Sequence, residues 1–261
     1  MIIKDIEQLI FLLGQEDNSA FQFMANELKN LYDKEPIIVP GETGYLWMPG
    51  EIPVVINAHA DTEGRYFPQQ EDIMIDNGII QGQDLAADDR TGLYSILQLV
   101  RGNLRPHVII TMGEENRGAG MRAFSNAMGR IPQGDVNFVL GLDRRNFNDA
   151  VFYGDNNPSF RTMIESFGFR EARGTYSDIA TLSFWWNVSG VNLSMGYNDR
   201  GVISIEQLHD SIDHIFKILS NNKITSTHFK FIRRPENDAW MQKWGNRRLN
   251  ELWVRTGEES S

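Results

Sequence analysis

The chain has 261 residues, 41% of them hydrophobic, no cysteine, and a formal net charge of −10. Its length and apolar content suit a full buried core, in one large domain or two small ones. Without cysteine there is no disulfide, thiolate metal site or thiol nucleophile, so any metal must be held by imidazole and carboxylate; the acidic balance argues against a nucleic-acid partner, which calls for a basic patch.

No apolar run approaches the ~20 residues a membrane crossing needs. The opening MIIKDIEQLIFLLGQEDN carries acids inside its apolar stretch, unlike a signal peptide, so the expected compartment is the cytoplasm. From Lys4 to Leu31, apolar residues at helical spacing (Ile6, Ile10, Leu13, then Phe21, Met24, Leu28) predict two helices separated by polar QEDNS. Apolar runs then alternate with helical stretches: strand PVVINA, a helix from Gly92 to Val100, strand HVIITM, a helix from Gly120 to Met128, and strand VNFVLGLD. A helix from Pro158 to Phe167, strand VNLSMG and a helix from Ser204 to Leu219 follow. This alternation is α/β grammar, and the strands are continuous apolar runs, as expected where helices cover both faces of a sheet. The expectation is a single three-layer αβα domain over residues 1–235 with a mostly parallel, mixed central sheet. Residues 236–261 change character. Three of the six tryptophans fall there, Trp240, Trp244 and Trp253, predicting a terminal helix that packs on the body or on a second subunit in a homo-oligomer.

Polar residues gather at the carboxyl ends of the predicted strands. VVINA runs into His59-Ala-Asp61, HVIITMG into Glu114-Glu115, and VNFVLGL into Asp143, while the loop QGQDLAADDRTG delivers Asp88-Asp89 to a helix start. Ligands bind outside these strand ends in open α/β sheets. Each element has an ordinary explanation taken alone: a satisfied core histidine, a solvated glutamate pair, an aspartate pair capping a helix, a surface ion pair in LDRR. Four acidic segments converging at one edge, however, repel one another unless a cation sits among them.

The ordered set HADT, AADDRTG, GEENRGAG, LDRRNFNDAVFYG, RGTYSDIATL and VNLSMGY resembles the M20/M28-type co-catalytic zinc metallopeptidases over roughly Val54 to Leu219. The resemblance implies the zinc-peptidase (phosphorylase/hydrolase-like) fold and hydrolysis of a small peptide or aminoacyl-amide by metal-activated water. It implies metal ligands His59, Asp88, Glu115 and Asp143, with Asp88 bridging two ions and joined to Asp89 by a cis peptide. Glu114 becomes the general base, and Asp61 the partner that orients the His59 imidazole, in keeping with how ligating histidines are held. Zinc, cobalt or manganese is the implied cofactor. Arg90 and Arg144 balance part of the acidic charge, and Asp178 is either a substrate contact or a helix N-cap.

Two departures qualify the resemblance. Many M20 members insert a lid domain between the last acidic ligand and the final histidine, and the chain from Asp143 to Gly196 is too short for one. The compact form is therefore expected. Where relatives read approximately GYYNxHTxxEYV, this chain reads GYNDRGVISIEQL, without the final metal histidine. One site then keeps three protein ligands (His59, Asp88, Asp143) and is complete, while the second keeps only Asp88 and Glu115 and is expected to be weak or empty unless Asp199 substitutes. The remaining histidines, His107, His209, His214 and His228, read as structural. The alternative to an active hydrolase is a catalytically silent relative that binds a peptide or protein partner.

Overall fold

The computed structural model describes residues 5–63, 68, 70–129, 135–174 and 176–235. The helix expected over residues 236–261 lies outside the described residues.

Two helices open the chain, α1 (Ile6–Leu13) and α2 (Asp17–Tyr32), followed by strands β1 (Ile37–Val39), β2 (Tyr45–Met48) and β3 (Ile52–His59). A hairpin, β4 (Met74–Asp76) and β5 (Ile79–Gln81), precedes α3 (Ala87–Arg101), β6 (Pro106–Thr111), α4 (Ala119–Met128) and β7 (Phe138–Arg144). Then come β8 (Asp149–Val151), α5 (Pro158–Ser166), β9 (Arg170–Glu171), α6 (Asp178–Trp186), β10 (Gly190–Ser194), β11 (Ile203–Ser204), α7 (Ile205–Leu219) and α8 (Asn222–Thr225).

Eight strands form the main sheet in the order β1-β2-β6-β3-β7-β10-β8-β9. Its four central strands, β6, β3, β7 and β10, run parallel, and the antiparallel strands β2 and β8 flank them. From β3 the chain crosses through α3 to β6 on one side, then through α4 to β7 on the other. Strand order thus reverses at the carboxyl end of β3, the place where open α/β sheets bind ligands.

Successive side chains of a strand point to opposite faces, and the core divides accordingly. Val54, Ile56 and Ala58 of β3 join Leu140 of β7 and the apolar faces of α1, α2, α3 and α7. Val55 and Val139 point the other way, into Phe124 of α4 and Ile179, Leu182 and Trp186 of α6. Helix α7 shows how such a layer forms. Ser204 caps it by accepting the Gln207 N–H, and Leu208, Ile212, Ile215 and Ile218 line one buried stripe, each burial contributing roughly 1.5–3 kcal/mol.

The strands and helices expected up to residue 235 are present, and others join them. Strand β11 pairs with the β5-β4 hairpin in a separate three-stranded sheet. Helix α3 begins earlier than the periodicity indicated, at Ala87 rather than Gly92.

Candidate metal centre

Strand β3 ends in His59, which follows Val55 in register and turns its ring toward the α4/α6 side of the sheet; it is only 2% exposed. Its Nδ1 sits 2.9 Å from the backbone carbonyl of Asp61. A carbonyl only accepts, so Nδ1 carries a proton and Nε2 is left as the one ligand atom. That Nε2 lies 3.1 Å from Asp88 Oδ1 and 3.5 Å from Asp143 Oδ1.

The aspartate pair divides its labour. The backbone leaves helical geometry at Asp88 and Asp89, and the peptide between them is cis. The Asp89 carboxylate is fully buried and accepts the N–H groups of His59 (3.2 Å) and Gly92 (2.9 Å), capping the regular part of α3 and tying it to β3. A Cβ on Gly92 would stand 2.1 Å from the Leu142 carbonyl and 2.4 Å from Asp89, so only glycine fits there. Asp88, freed from capping, faces His59.

Asp143, near the end of β7, is gripped by a residue the sequence did not single out. Asn192 of β10 donates through Nδ2 to Asp143 Oδ2 (3.0 Å) and accepts the Asp143 N–H on Oδ1 (3.2 Å). Ser177 donates to the same Oδ2, and the Tyr197 hydroxyl to the Asp143 carbonyl. The clue lay in the sequence: an asparagine inside the apolar run of a central strand.

Asp61 acts differently from the expectation. Its carboxylate stands 3.6 Å from His59 Nδ1, and the backbone carbonyl holds the ring instead. The carboxylate accepts the N–H of Glu114 on Oδ1 and of Glu115 on Oδ2, each at 3.1 Å. It therefore fixes the turn after β6 that carries both glutamates.

Charge in the cluster is tightly balanced. Burial opposes protonation of His59, but the neighbouring carboxylates of Asp143, Asp61 and Asp88 carry its pKa well above the histidine range. Burial and the charge of Asp143 raise Asp88. Burial would raise Asp143 as well, yet His59, Asp88 and Asn192 hold it down to about 2. Burial, reinforced by Asp143, Asp178 and Glu115, pushes Glu114 up to about 9, and Glu115 rises to about 7, again chiefly through burial. Like charges this close resist joint ionisation unless a cation compensates them.

Among the described residues, two sets of donors each bring their ligand atoms within 4.8 Å of one another, His59-Asp88-Asp143 and His59-Glu114-Glu115. Both draw on His59, whose only presented nitrogen is Nε2. Asp199 belongs to neither set: it is 70% exposed and paired with Arg145 at 2.5 Å. Asp178 opens α6 at 2% exposure, accepts the Thr111 hydroxyl at 2.5 Å, and is raised to about 7, mainly by burial. The cleft wall does not include it. Arg90 is spent on Asp17 and backbone carbonyls. The other four histidines join no donor set among the described residues. His107 accepts the Gly50 N–H and stacks on Trp47, and His209 faces the Tyr94 hydroxyl.

The donors open into a cleft of about 990 Å³ whose wall includes Tyr153, Tyr176 and Tyr197 and four arginines, Arg117, Arg144, Arg145 and Arg200.

No family model matches the chain, and no curated protein matches it. Solved structures do. A tripeptidase from Staphylococcus aureus superposes with a TM-score of 0.64 at 12% identity, covering 87% of this chain and 99% of that one. The aminopeptidase PepT from Bacillus cereus gives 0.62 at 13% identity, covering 84% and 98%. A TET aminopeptidase from a marine-sediment Thaumarchaeota archaeon gives 0.63 at 9% identity, covering 85% and 98%. The fold is that of the zinc-peptidase class: a large, mostly parallel central sheet flanked by helices.

Proposed function

We propose that this chain is a metal-dependent hydrolase of peptide or aminoacyl-amide bonds, aminopeptidase-like, of the M20/M28 co-catalytic type reduced to one metal, with residues 5–235 as its catalytic unit and the cytoplasm as its compartment. The observation that carries this reading is the convergence of His59 Nε2, Asp88 and Asp143 with Glu114 in the wall of the same cleft. The donor chemistry fits a divalent cation. One imidazole and two carboxylates make three protein ligands, the usual catalytic zinc complement, and the carboxylates keep cobalt and manganese in play.

His59, Asp88 and Asp143 would hold the ion. When bound, it polarises the scissile carbonyl and makes water a nucleophile near neutral pH. The chain's own residues do the rest. Asp61 holds the Glu114 backbone, so its carboxylate is presented from a fixed turn. Glu114 takes a proton from the attacking water and passes it to the leaving amine; a buried carboxylate of raised pKa is a strong base once ionised. Asn192 and Ser177 keep Asp143 from rotating away.

A second reading, a silent relative that binds a peptide, is favoured by one feature: the loop that lacks the final histidine offers Asp199, and Arg145 already holds it. Hydrolysis of a chromogenic aminoacyl-amide panel with added Zn, Co or Mn separates the two. The hydrolase reading expects activity that falls by roughly 10²–10⁴-fold in Glu114→Gln. Equal rates for the two proteins would establish the binding role.

A further inference from the structure

The four arginines of the cleft wall are not alike. Arg144 donates to the Arg173 carbonyl and lies 3.6 Å from Asp149, and Arg145 pairs with Asp199, so both are engaged inside the protein. Arg117 and Arg200 are exposed, and among the described residues their guanidinium groups make no ion pair. In particular, neither pairs with Asp88, Glu114, Glu115 or Asp143, so they are not the counter-charges of the donor cluster.

Both are set on turns that the backbone fixes. Arg200 occupies the tip of a turn closed by Gly201 N–H to the Asn198 carbonyl (2.9 Å), and the Asn198 side chain accepts the N–H groups of Arg200 (2.9 Å) and Val202 (3.2 Å). The Arg145–Asp199 pair anchors that turn at the residue beside Arg200. Gly201 lets it lie close to Leu85: with φ at +70°, an added Cβ would meet the Leu85 carbonyl at 3.0 Å. Arg117 sits in the turn that Asp61 pins, closed by Gly118 N–H to the Glu114 carbonyl (2.8 Å), and the Arg117 carbonyl accepts from the Arg122 guanidinium. The first turn stands where the final metal histidine is missing, and the second carries the general base.

We propose that Arg117 and Arg200 form an anion subsite beside the scissile bond, and that the cleft takes peptides carrying a carboxylate there. This rests on the peptide-hydrolase reading for the class of molecule, and, for its charge, on two guanidinium groups that make no ion pair among the described residues. Guanidinium groups match carboxylate geometry and bind it with two parallel hydrogen bonds. The carboxylate has two possible sources, an acidic side chain or the free chain end.

The test is binding, measured by calorimetry on full-length Glu114→Gln protein with zinc, where turnover does not intrude. Ala-Glu-Ala-amide is compared with Ala-Gln-Ala-amide, and Ala-Ala-Ala with its amide, separating side chain from chain end. At least one acid form should bind about tenfold tighter than its neutral counterpart, with the difference narrowing in high salt. Adding Arg117→Gln and Arg200→Gln should bring the pair within twofold, with the unfolding temperature unchanged because both side chains are exposed. Equal binding of acid and neutral forms, absence of binding by any of the four, or a preference that survives the double change overturns the subsite. Hydrolysis without acidic preference would sink this inference and leave the hydrolase reading standing; acidic preference with no hydrolysis by the wild-type chain would do the reverse.

Discussion

Asn192 sets how the Asp143 carboxylate is presented to the proposed metal site. A carboxylate on a strand end has two oxygens and free rotation, and only a fixed one presents a lone pair where a cation needs it. By holding Oδ2 and the Asp143 amide at once, Asn192 leaves Oδ1 turned to His59. Asn192→Leu keeps volume and removes both bonds. It should weaken metal affinity by roughly 10–100-fold, read by competition with a chromophoric chelator; unchanged affinity would mean that Ser177 suffices. The ligand candidates were legible in the sequence because imidazole and carboxylates interrupt apolar runs, and zero cysteine narrowed the choice. The residues that hold them were less so: Asn192 is marked only as a polar residue inside the apolar run of β10, and Ser177, just before α6, carries no charge to mark it. Asp61 shows the same limit. A histidine–aspartate spacing does not say whether carbonyl or carboxylate meets the ring.

At the scale of elements, α3 links the site to the rest of the body. Its first turns carry Asp88, the capping Asp89 and then Arg90, whose guanidinium is fully buried. Arg90 donates to the carbonyls of Leu12, Ala60 and Gln15 and pairs with Asp17 at 2.9 Å, so one side chain fastens the α1–α2 corner to the end of β3. Only a planar five-donor group reaches that many acceptors, and lysine is not a substitute. Arg90→Lys should cost at least about 1–3 kcal/mol, the penalty for leaving a buried acceptor unmet, seen as a lower urea midpoint; a change below that range would show that water replaces the lost bonds. The elements that the sequence made legible share a strong period: the continuous apolar runs of β3, β6 and β7 and the stripe of α7. Helix α6, DIATLSFWW, is buried along most of its length and so has no polar face to betray its period. The three-residue strands β4 and β8 are too short for any pattern to accumulate.

Across the whole molecule, the switch at β3 gathers donors from β3, α3 and β7, segments separated in sequence that the parallel β3–β7 pairing and the packing of α3 bring together. A cation there would cross-link them, and a ligand bound only by the folded state stabilises it by mass action, about 2.7 kcal/mol at a hundredfold excess over Kd. The acid–base state of the cluster sets the pH dependence. In the metal-free chain, His59, Asp88, Glu114 and Glu115 all have raised pKa values, so the folded state holds more protons than the unfolded one. Stability from raised groups is present at low pH and lost as pH climbs through their folded values, a window that includes about 7 for Glu115 and about 9 for Glu114. Metal held by His59 would work in the opposite direction, because it would have to displace the His59 proton and so bind better as pH rises. The metal-free midpoint of thermal unfolding should therefore fall between pH 6.5 and 9, while the gain from added zinc should grow over the same interval. That gain should vanish in His59→Ala and Asp143→Ala and persist in Asp199→Ala, whose carboxylate belongs to Arg145. Metal analysis after dialysis should return one tightly held equivalent per chain, since both donor sets depend on one nitrogen. Two tight equivalents surviving Asp199→Ala, or a metal-free midpoint indifferent to pH, would contradict the single shared site.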